Sequence, residues 1–289
     1  MKNRGKKMES AYTQTMFILK KYNISASKSL GQNFLINDDV IEKIVGAANI
    51  EKEDLVIEIG PGLGTLTNKL LEKAKKVIAI ELDQRMINIL QERFSLFTNF
   101  ELINEDVLKV NLKEIIQKEK QQIRNVKIVA NLPYYITTPI IMKLLEDKLE
   151  IESITVMVQK EVAKRLTAVP GAKLSGAITY AVNYYCEPKE VITVPNSSFI
   201  PEPEVESEVI KLNLRKEPPV KLKNEKLFFK LIKASFMQRR KTLINGISNS
   251  GEMQKEEIKQ ILKKLNISEN VRGENLTLQD FANISNEWK

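Results

Sequence analysis

The chain has 289 residues, 43% hydrophobic and 28% charged, enough for one large domain plus a small one in a soluble globular protein. Lys and Arg total 45 against 37 Asp and Glu, a net charge of +8 that favours a polyanionic partner. With no histidine and Cys186 as its single cysteine, the sequence excludes Ser–His and Cys–His triads, His-ligated metals, a His general base and an internal disulfide. Cys186 reads as a buried small side chain, and no run approaches the ~18 apolar residues of a membrane helix.

The N-terminal MKNRGKKMES (1–10) is basic without an apolar run behind it, and reads as a solvated tail rather than a secretory signal. DLVIEIG (54–60), KKVIAIELD (75–83), NFELINED (99–106), VKIVANLP (126–133) and SITVMVQK (153–160) are short, nearly continuous apolar runs. They predict strands buried on both faces. Helical spacing lies between them, as in Leu66, Leu70 and Leu71, or Ile140, Leu144 and Leu145. The alternation predicts an α/β fold, with a parallel sheet covered by helices and its strand ends sharing one ligand-binding edge. After Ser175, AITYAVNYYCEPKEVITV and SEVIKLNLR read as two further strands, joined by the turn-rich PNSSFIPEPEVE and added antiparallel at the sheet edge. RKEPPVKL (215–222) reads as a linker. Beyond it, KLFFKLIKASFMQ, RRKTLINGIS, EEIKQILKKL and LQDFANI read as helices. The expected division is an extension over 1–27, a sheet domain over 28–216 and a helical domain over 223–289.

IEIGPGLG (57–64) sets Gly60, Gly62 and Gly64 between a strand and a helix beginning TLTNK. Glycines here permit positive φ and close approach of a ligand to the backbone. A dinucleotide loop needs GxGxxG; here the third glycine falls one residue early, with Thr65 in its place. Pro61 also removes an N–H that a pyrophosphate would use. Alone, the loop is equally a tight turn, but two acids sharpen it. Glu81 lies near the end of the next strand, 21 residues after Gly60, where a carboxylate can accept from both hydroxyls of an adenosine ribose. Asp106 ends the third strand on the same edge. Together they indicate a nucleoside cofactor without a bound pyrophosphate, such as S-adenosylmethionine (SAM). A further strand end, VANLPYYITTP (129–139), follows Asn131 and Pro133 with two adjacent aromatics, Tyr134 and Tyr135, more than a plain turn requires.

KSLGQNFL (28–35), IEIGPGLGTLT (57–67), AIELD (79–83), the Glu105–Asp106 pair and VANLPYYITTP resemble the ribosomal RNA adenine N6-dimethyltransferases. SFIPEPEVESEVI (198–210) and QRRKTLIN (238–245) extend the resemblance over nearly the whole chain. It implies a Rossmann-like SAM-dependent methyltransferase fold, mostly parallel with an antiparallel edge strand, plus a small all-α C-terminal domain that binds RNA. The bacterial small-subunit members look most similar; they dimethylate two adjacent adenosines in a hairpin loop near the 3′ end of 16S rRNA. The resemblance implies SAM contacts at Asn33, Leu35, Gly60, Glu81, Asp106 and Asn131, to which the glycine loop adds Gly62. SAM is then the methyl donor, with no metal. The implied partner is 16S rRNA within a 30S subunit or its precursor. A cytoplasmic monomer with a role in ribosome biogenesis and no membrane contact is expected. The chain departs from many relatives at Tyr135, often Asn; at Glu204, often basic; and at Asn33, often His.

The N6 amine of adenine is a poor nucleophile because its lone pair is delocalised into the ring. Hydrogen-bond acceptors on its N–H groups localise that pair. Asn131 can supply its side-chain oxygen, and Leu132 its backbone carbonyl, held rigid by Pro133. Tyr134 can stack on the base, a contact worth ~1–3 kcal/mol. Resemblance to related adenine-N6 enzymes puts Phe199 on the opposite face. No strong base is required, which agrees with the lack of histidine, and a loop adenosine is the cheapest to extrude. Lys230, Lys233, Arg239, Arg240 and Lys241 form a basic run without an acid, suited to phosphate contacts or simply to a solvated helix face. Lys160, Lys164 and Arg165 could add to it near the site. Three other readings compete: 23S rRNA methylation of the macrolide-resistance type, which shares the core motifs; an NAD-dependent oxidoreductase, opposed by the glycine spacing; and a non-catalytic RNA-binding assembly factor, opposed by the intact NLPY and Glu81.

Overall fold

The computed structural model describes residues 9–27, 30–238 and 240–288; most of the expected basic tail (1–8) and Arg239 lie outside the described residues. The chain forms two compact units. One runs up to Ala163 and includes Lys189–Leu212; the other comprises Lys164–Pro188 and Asn213–Lys289.

The first unit runs α1 (Ala11–Lys21), β1 (Phe34–Leu35), α2 (Asp38–Ala48), β2 (Leu55–Ile59), α3 (Thr65–Lys73), β3 (Lys76–Glu81), α4 (Gln84–Arg93) and β4 (Phe100–Asn104). It continues with α5 (Leu112–Glu119), β5 (Val126–Asn131), α6 (Thr137–Glu146) and β6 (Ser153–Gln159). After α7 (Lys160–Thr167) and α8 (Ala177–Tyr185), the strands β7 (Cys186–Val194), β8 (Phe199–Ile200) and β9 (Ser207–Leu214) follow.

Seven strands form one sheet in the order β4-β3-β2-β5-β6-β9-β7. The first five are parallel, as the runs of apolar residues predict, with Ile59 opposite both Ile80 and Ala130. Lys160, just past β6, donates its N–H to the carbonyl of Glu206, just before β9 (3.0 Å), so β9 runs antiparallel to β6. β1 and β8 form a separate antiparallel ribbon, with Leu35 opposite Phe199. Chain order reverses direction across β2 and β5. Such a switch point opens a crevice at the carboxyl ends of the strands.

Every residue of β2 is buried, Glu58 included, because both edges are paired and both faces covered. On α2, Val40, Ile41, Ile44, Val45 and Ala48 form the buried face, Asn37 caps the N-terminus through the Val40 N–H, and Asn49 ends the helix in the left-handed conformation. These side chains join Leu70, Met86, Leu90, Val129 and Phe199 in one core. Burying one such side chain contributes roughly 1.5–3 kcal/mol.

AITYAVNYY is a helix, α8, where the β-branched and aromatic composition predicts a strand. Packing overrides propensity here. Tyr180 and Tyr184, four residues apart on one helix face, enter the aromatic core of the second unit beside Phe228 and Phe281. The Tyr180 hydroxyl donates to the carbonyl of Leu276 (2.6 Å). Residues 164–188 therefore group with the C-terminal helices rather than with the sheet, unlike the division read from the sequence. Those helices are α9 (Glu225–Met237), α10 (Leu243–Asn249), α11 (Lys255–Lys264) and α12 (Leu278–Glu287). Cys186 is fully buried, which pushes its thiol up to about 12.

Candidate active site

At the carboxyl edge of the parallel strands lies a cleft of about 1120 Å³, counting the space open to solvent. Asn33, Leu35, Gly60, Gly62, Glu81, Asp106, Asn131, Leu132, Pro133 and Tyr134 all line it, although they come from segments up to a hundred residues apart. Four acids line the cleft, Glu58, Glu81, Glu105 and Asp106, and among the described residues no Lys or Arg does. The wall is thus electronegative in a chain whose net charge is +8. Among the described residues no cluster suited to a metal ion is found.

The glycine loop turns on positive φ at Gly60 (69°), Gly62 (57°) and Gly64 (80°). Its Gly62 N–H donates to Oε2 of Glu81 (3.1 Å), while the N–H groups of Leu82 and Asp83 donate to Oε1 (2.8 Å each). Three backbone donors therefore fix the carboxylate and occupy most of its roughly four acceptor sites. Room remains for about one hydroxyl without loosening a backbone bond. Burial raises the Glu81 carboxyl above its ordinary range, and the three N–H groups pull it only part of the way back.

Glu58 is absent from the candidates read from the sequence. Its one signal there is an acid interrupting the apolar run LVIEI. The side chain is 1% exposed, its Oε2 is buried without a hydrogen-bond partner, and burial pushes the carboxyl up to about 8. Asp106 is half-buried and accepts from the Leu108 N–H through Oδ1 (3.0 Å).

Asn131 ends β5 beside this cluster. Its Nδ2 donates to the carbonyl of Asn33 (3.2 Å), which turns the side-chain oxygen the other way. Leu132 gives its N–H to the carbonyl of Met157 (3.1 Å), extending the ladder one residue past the strand and fixing that peptide. The Pro133 carbonyl accepts from the N–H of Ile136 and the hydroxyl of Thr137, closing a tight turn that carries Tyr134 and Tyr135. The Tyr134 hydroxyl bonds to Oγ of Ser207 (2.6 Å), so the ring is held from its far end. Tyr135 is 59% exposed and lies against Gly31.

Phe199 does not line the cleft. Its ring is 1% exposed and belongs to the apolar core, because β8 pairs with β1 and turns this residue inward. As folded it has no face open to a stacked base, a correction to the expected sandwich.

In the helical unit Lys233, Arg240 and Lys241 are exposed. Lys230 pairs with Glu252, an acid beyond the basic run in sequence but beside it in space. Lys160 pairs with Glu206 (2.7 Å), which raises its pKa.

The family model for ribosomal RNA adenine dimethylase matches residues 23–289. The chain is 49% identical over 277 residues to the ribosomal RNA small subunit methyltransferase A of Clostridioides difficile, covering 96% of each chain. It is 51% identical to that of Lachnoclostridium phytofermentans, covering 94% of each. Among solved structures, a dimethyladenosine transferase from Plasmodium falciparum superposes with a TM-score of 0.71 at 30% identity, over 86% of this chain and 95% of that one. The 23S rRNA methyltransferase ErmE shares the fold, with a TM-score of 0.67 at 23% identity over 88% and 99%. A match over nearly the full length, with half the residues identical, leaves one conclusion: the chain belongs to the ribosomal RNA adenine dimethylase family and is an rRNA adenine methyltransferase.

Proposed function

We propose that the protein uses SAM to dimethylate the N6 amines of two adjacent adenosines in a hairpin loop near the 3′ end of 16S rRNA, within the 30S subunit or its precursor. The observation that carries the cofactor is the acidic cleft: four acids and, among the described residues, no Lys or Arg suit a ligand that is itself a cation, and oppose a pyrophosphate. Glu58, pushed up to about 8 by burial, adds a carboxyl that is uncharged at neutral pH, with its buried Oε2 lacking a partner. Glu81 holds a ribose hydroxyl, Asp106 accepts from the adenine amine, and Asn33, Leu35, Gly60 and Gly62 shape the remaining walls. When bound, SAM supplies an electrophilic methyl on a sulfonium.

The chain's own part is positioning and electrostatics. Asn131 accepts one N6–H through Oδ1, an orientation set by its bond to the Asn33 carbonyl. The Leu132 carbonyl, one residue past the end of β5 and following an N–H bonded to the Met157 carbonyl, accepts the other. Both favour a tetrahedral nitrogen whose lone pair points at the methyl group. Tyr134 stacks on the extruded base from one side. The opposite side lacks Phe199, and the exposed ring of Tyr135, which lines the cleft, serves there. Lys233, Arg239, Arg240 and Lys241 of the helical unit contact phosphates, which set position more than sequence. The enzyme acts as a cytoplasmic monomer during ribosome biogenesis. The names of the curated relatives favour the small subunit over 23S rRNA.

The test is transfer of labelled methyl from SAM to unmethylated 30S and 50S particles. Label in two adjacent 16S adenosines is expected. Label confined to 50S particles would overturn the substrate, and no transfer to either would overturn the catalytic reading.

A further inference from the structure

One face of α4 is built against the glycine loop. Leu90, Arg93 and Phe94 sit at helical spacing i, i+3 and i+4. A Cβ on Gly64 would fall 2.9 Å from the Leu90 side chain and 2.5 Å from the Phe94 ring, so the contact itself requires glycine. Between those two residues, Arg93 donates its guanidinium to the carbonyl of Leu63, a residue that lines the cleft. Its other terminal nitrogen donates to Oε1 of Gln14 on α1 (3.3 Å), and the cation lies over the Phe94 ring, 5.3 Å from its centre. Burial lowers the Arg93 pKa, and no carboxylate offsets that loss.

A half-buried guanidinium of this kind needs neutral acceptors on both sides, and it has them in Leu63 and Gln14. The helix that supplies Gln14 is itself well tied. Lys21 pairs with Glu92, the residue before Arg93 (2.7 Å), and the Ala11 N–H donates to both oxygens of Asp38 (3.1 and 3.2 Å). A chain of contacts thus runs from Gln14 through Arg93 to the Leu63 carbonyl. The same loop, at Gly62, then orients Glu81.

We propose that Arg93 is a positioning residue for the cofactor loop and that α1 holds it through Gln14, so that the N-terminal helix sets the affinity for the nucleoside cofactor. The inference rests on the SAM reading of the cleft. The tests use the full chain, with S-adenosylhomocysteine binding by calorimetry and methyl transfer to 30S particles at varied SAM. Arg93→Gln raises the SAM KM and weakens S-adenosylhomocysteine roughly tenfold, as loss of a charge-assisted bond does, while kcat at saturating SAM stays within about twofold. Arg93→Lys keeps the charge and one donor and recovers part of the loss. Gln14→Ala costs about threefold alone and nothing further in the Arg93→Gln background, the non-additivity of residues acting in series.

Wild-type affinity in both Arg93→Gln and Gln14→Ala would overturn the inference while leaving the SAM reading intact. So would lost stability with an unchanged KM, or a Gln14 effect that persists in the double variant. A wild-type chain that binds no S-adenosylhomocysteine would overturn both readings. If Arg93→Gln does not fold, Gln14→Ala and Arg93→Lys decide by the same KM and binding criteria.

Discussion

At the amino ends of β2 and β5, Lys127 is 1% exposed and donates to Asp54 (2.7 Å), itself fully buried, and to the carbonyl of Asn49 (2.5 Å). At the carboxyl ends of β2 and β3, Glu58 and Glu81 are buried almost as deeply, and among the described residues neither has a cation beside it. The two edges belong to the same sheet and are built from the same kind of apolar run. Their difference is one of use. Below, charge is neutralised within the protein and serves the fold. Above, acids are buried without a cation among the described residues, so burial raises both carboxyls at a standing cost to the folded chain.

If that contrast holds, substitutions below destabilise the fold and leave the site alone, while those above change binding or rate or, at Glu58, relieve the cost of a buried acid. Lys127→Met has the largest effect. It strands Asp54 as an unpaired buried charge and should cost about 3–5 kcal/mol in urea unfolding, with S-adenosylhomocysteine affinity of the folded protein unchanged. Coupled loss of affinity would break the contrast.

Glu58→Gln works in the opposite direction. The folded carboxyl titrates at about 8, above its value of 4.5 in an unfolded chain. A raised carboxyl pKa favours the folded state at low pH and penalises it as pH rises from 4.5 through 8. Glu58→Gln should therefore match the wild type near pH 5 and be the more stable near pH 9, on the order of a few kcal/mol. Thermal melts across that range, showing parallel curves for the two proteins, would remove Glu58 from the comparison.

Asn131→Ala should lower the single-turnover methyl-transfer rate by ~10²–10³ at saturating SAM, because the lost acceptor faces charge that develops on N6. Its melting temperature should hardly move. Near-normal rates would reduce the turn to scaffolding. Glu81→Ala should weaken cofactor binding by ~1.5–3 kcal/mol, since a charged acceptor is removed from the ribose; calorimetry reads this directly. The smallest effect belongs to Tyr134→Phe. The ring that stacks is kept, but the bond to Ser207 that steadies it is lost, so kcat should fall by the equivalent of about 0.5–1.5 kcal/mol with SAM affinity unchanged. A drop as large as that of Asn131→Ala would mean that the hydroxyl takes part in the chemistry.

Local pattern alone determined the parallel part of the sheet, its five strands and the strand ends that line the cleft. The apolar runs read as strands covered on both faces, which holds for β2, β3, β5 and β6 but not for the edge strand β4, and the glycines, Glu81, Asp106 and NLPY stand where those runs stop. Ten of the cofactor and catalytic candidates consequently meet in one cleft. What stayed hidden depends on neighbours distant in the chain. The helix at 177–185 exists because Tyr180 and Tyr184 find an aromatic core some fifty to a hundred residues away, which propensity does not register. Phe199 is buried because β8 has β1 as a partner, and Lys230 is neutralised by an acid that follows α10. The unpaired carboxylates, the fixed amide of Asn131 and the reach of α1 to the glycine loop likewise arise only when the chain closes. Burial and electrostatic pairing are properties of what surrounds a residue in space, and the tertiary structure alone decides those surroundings.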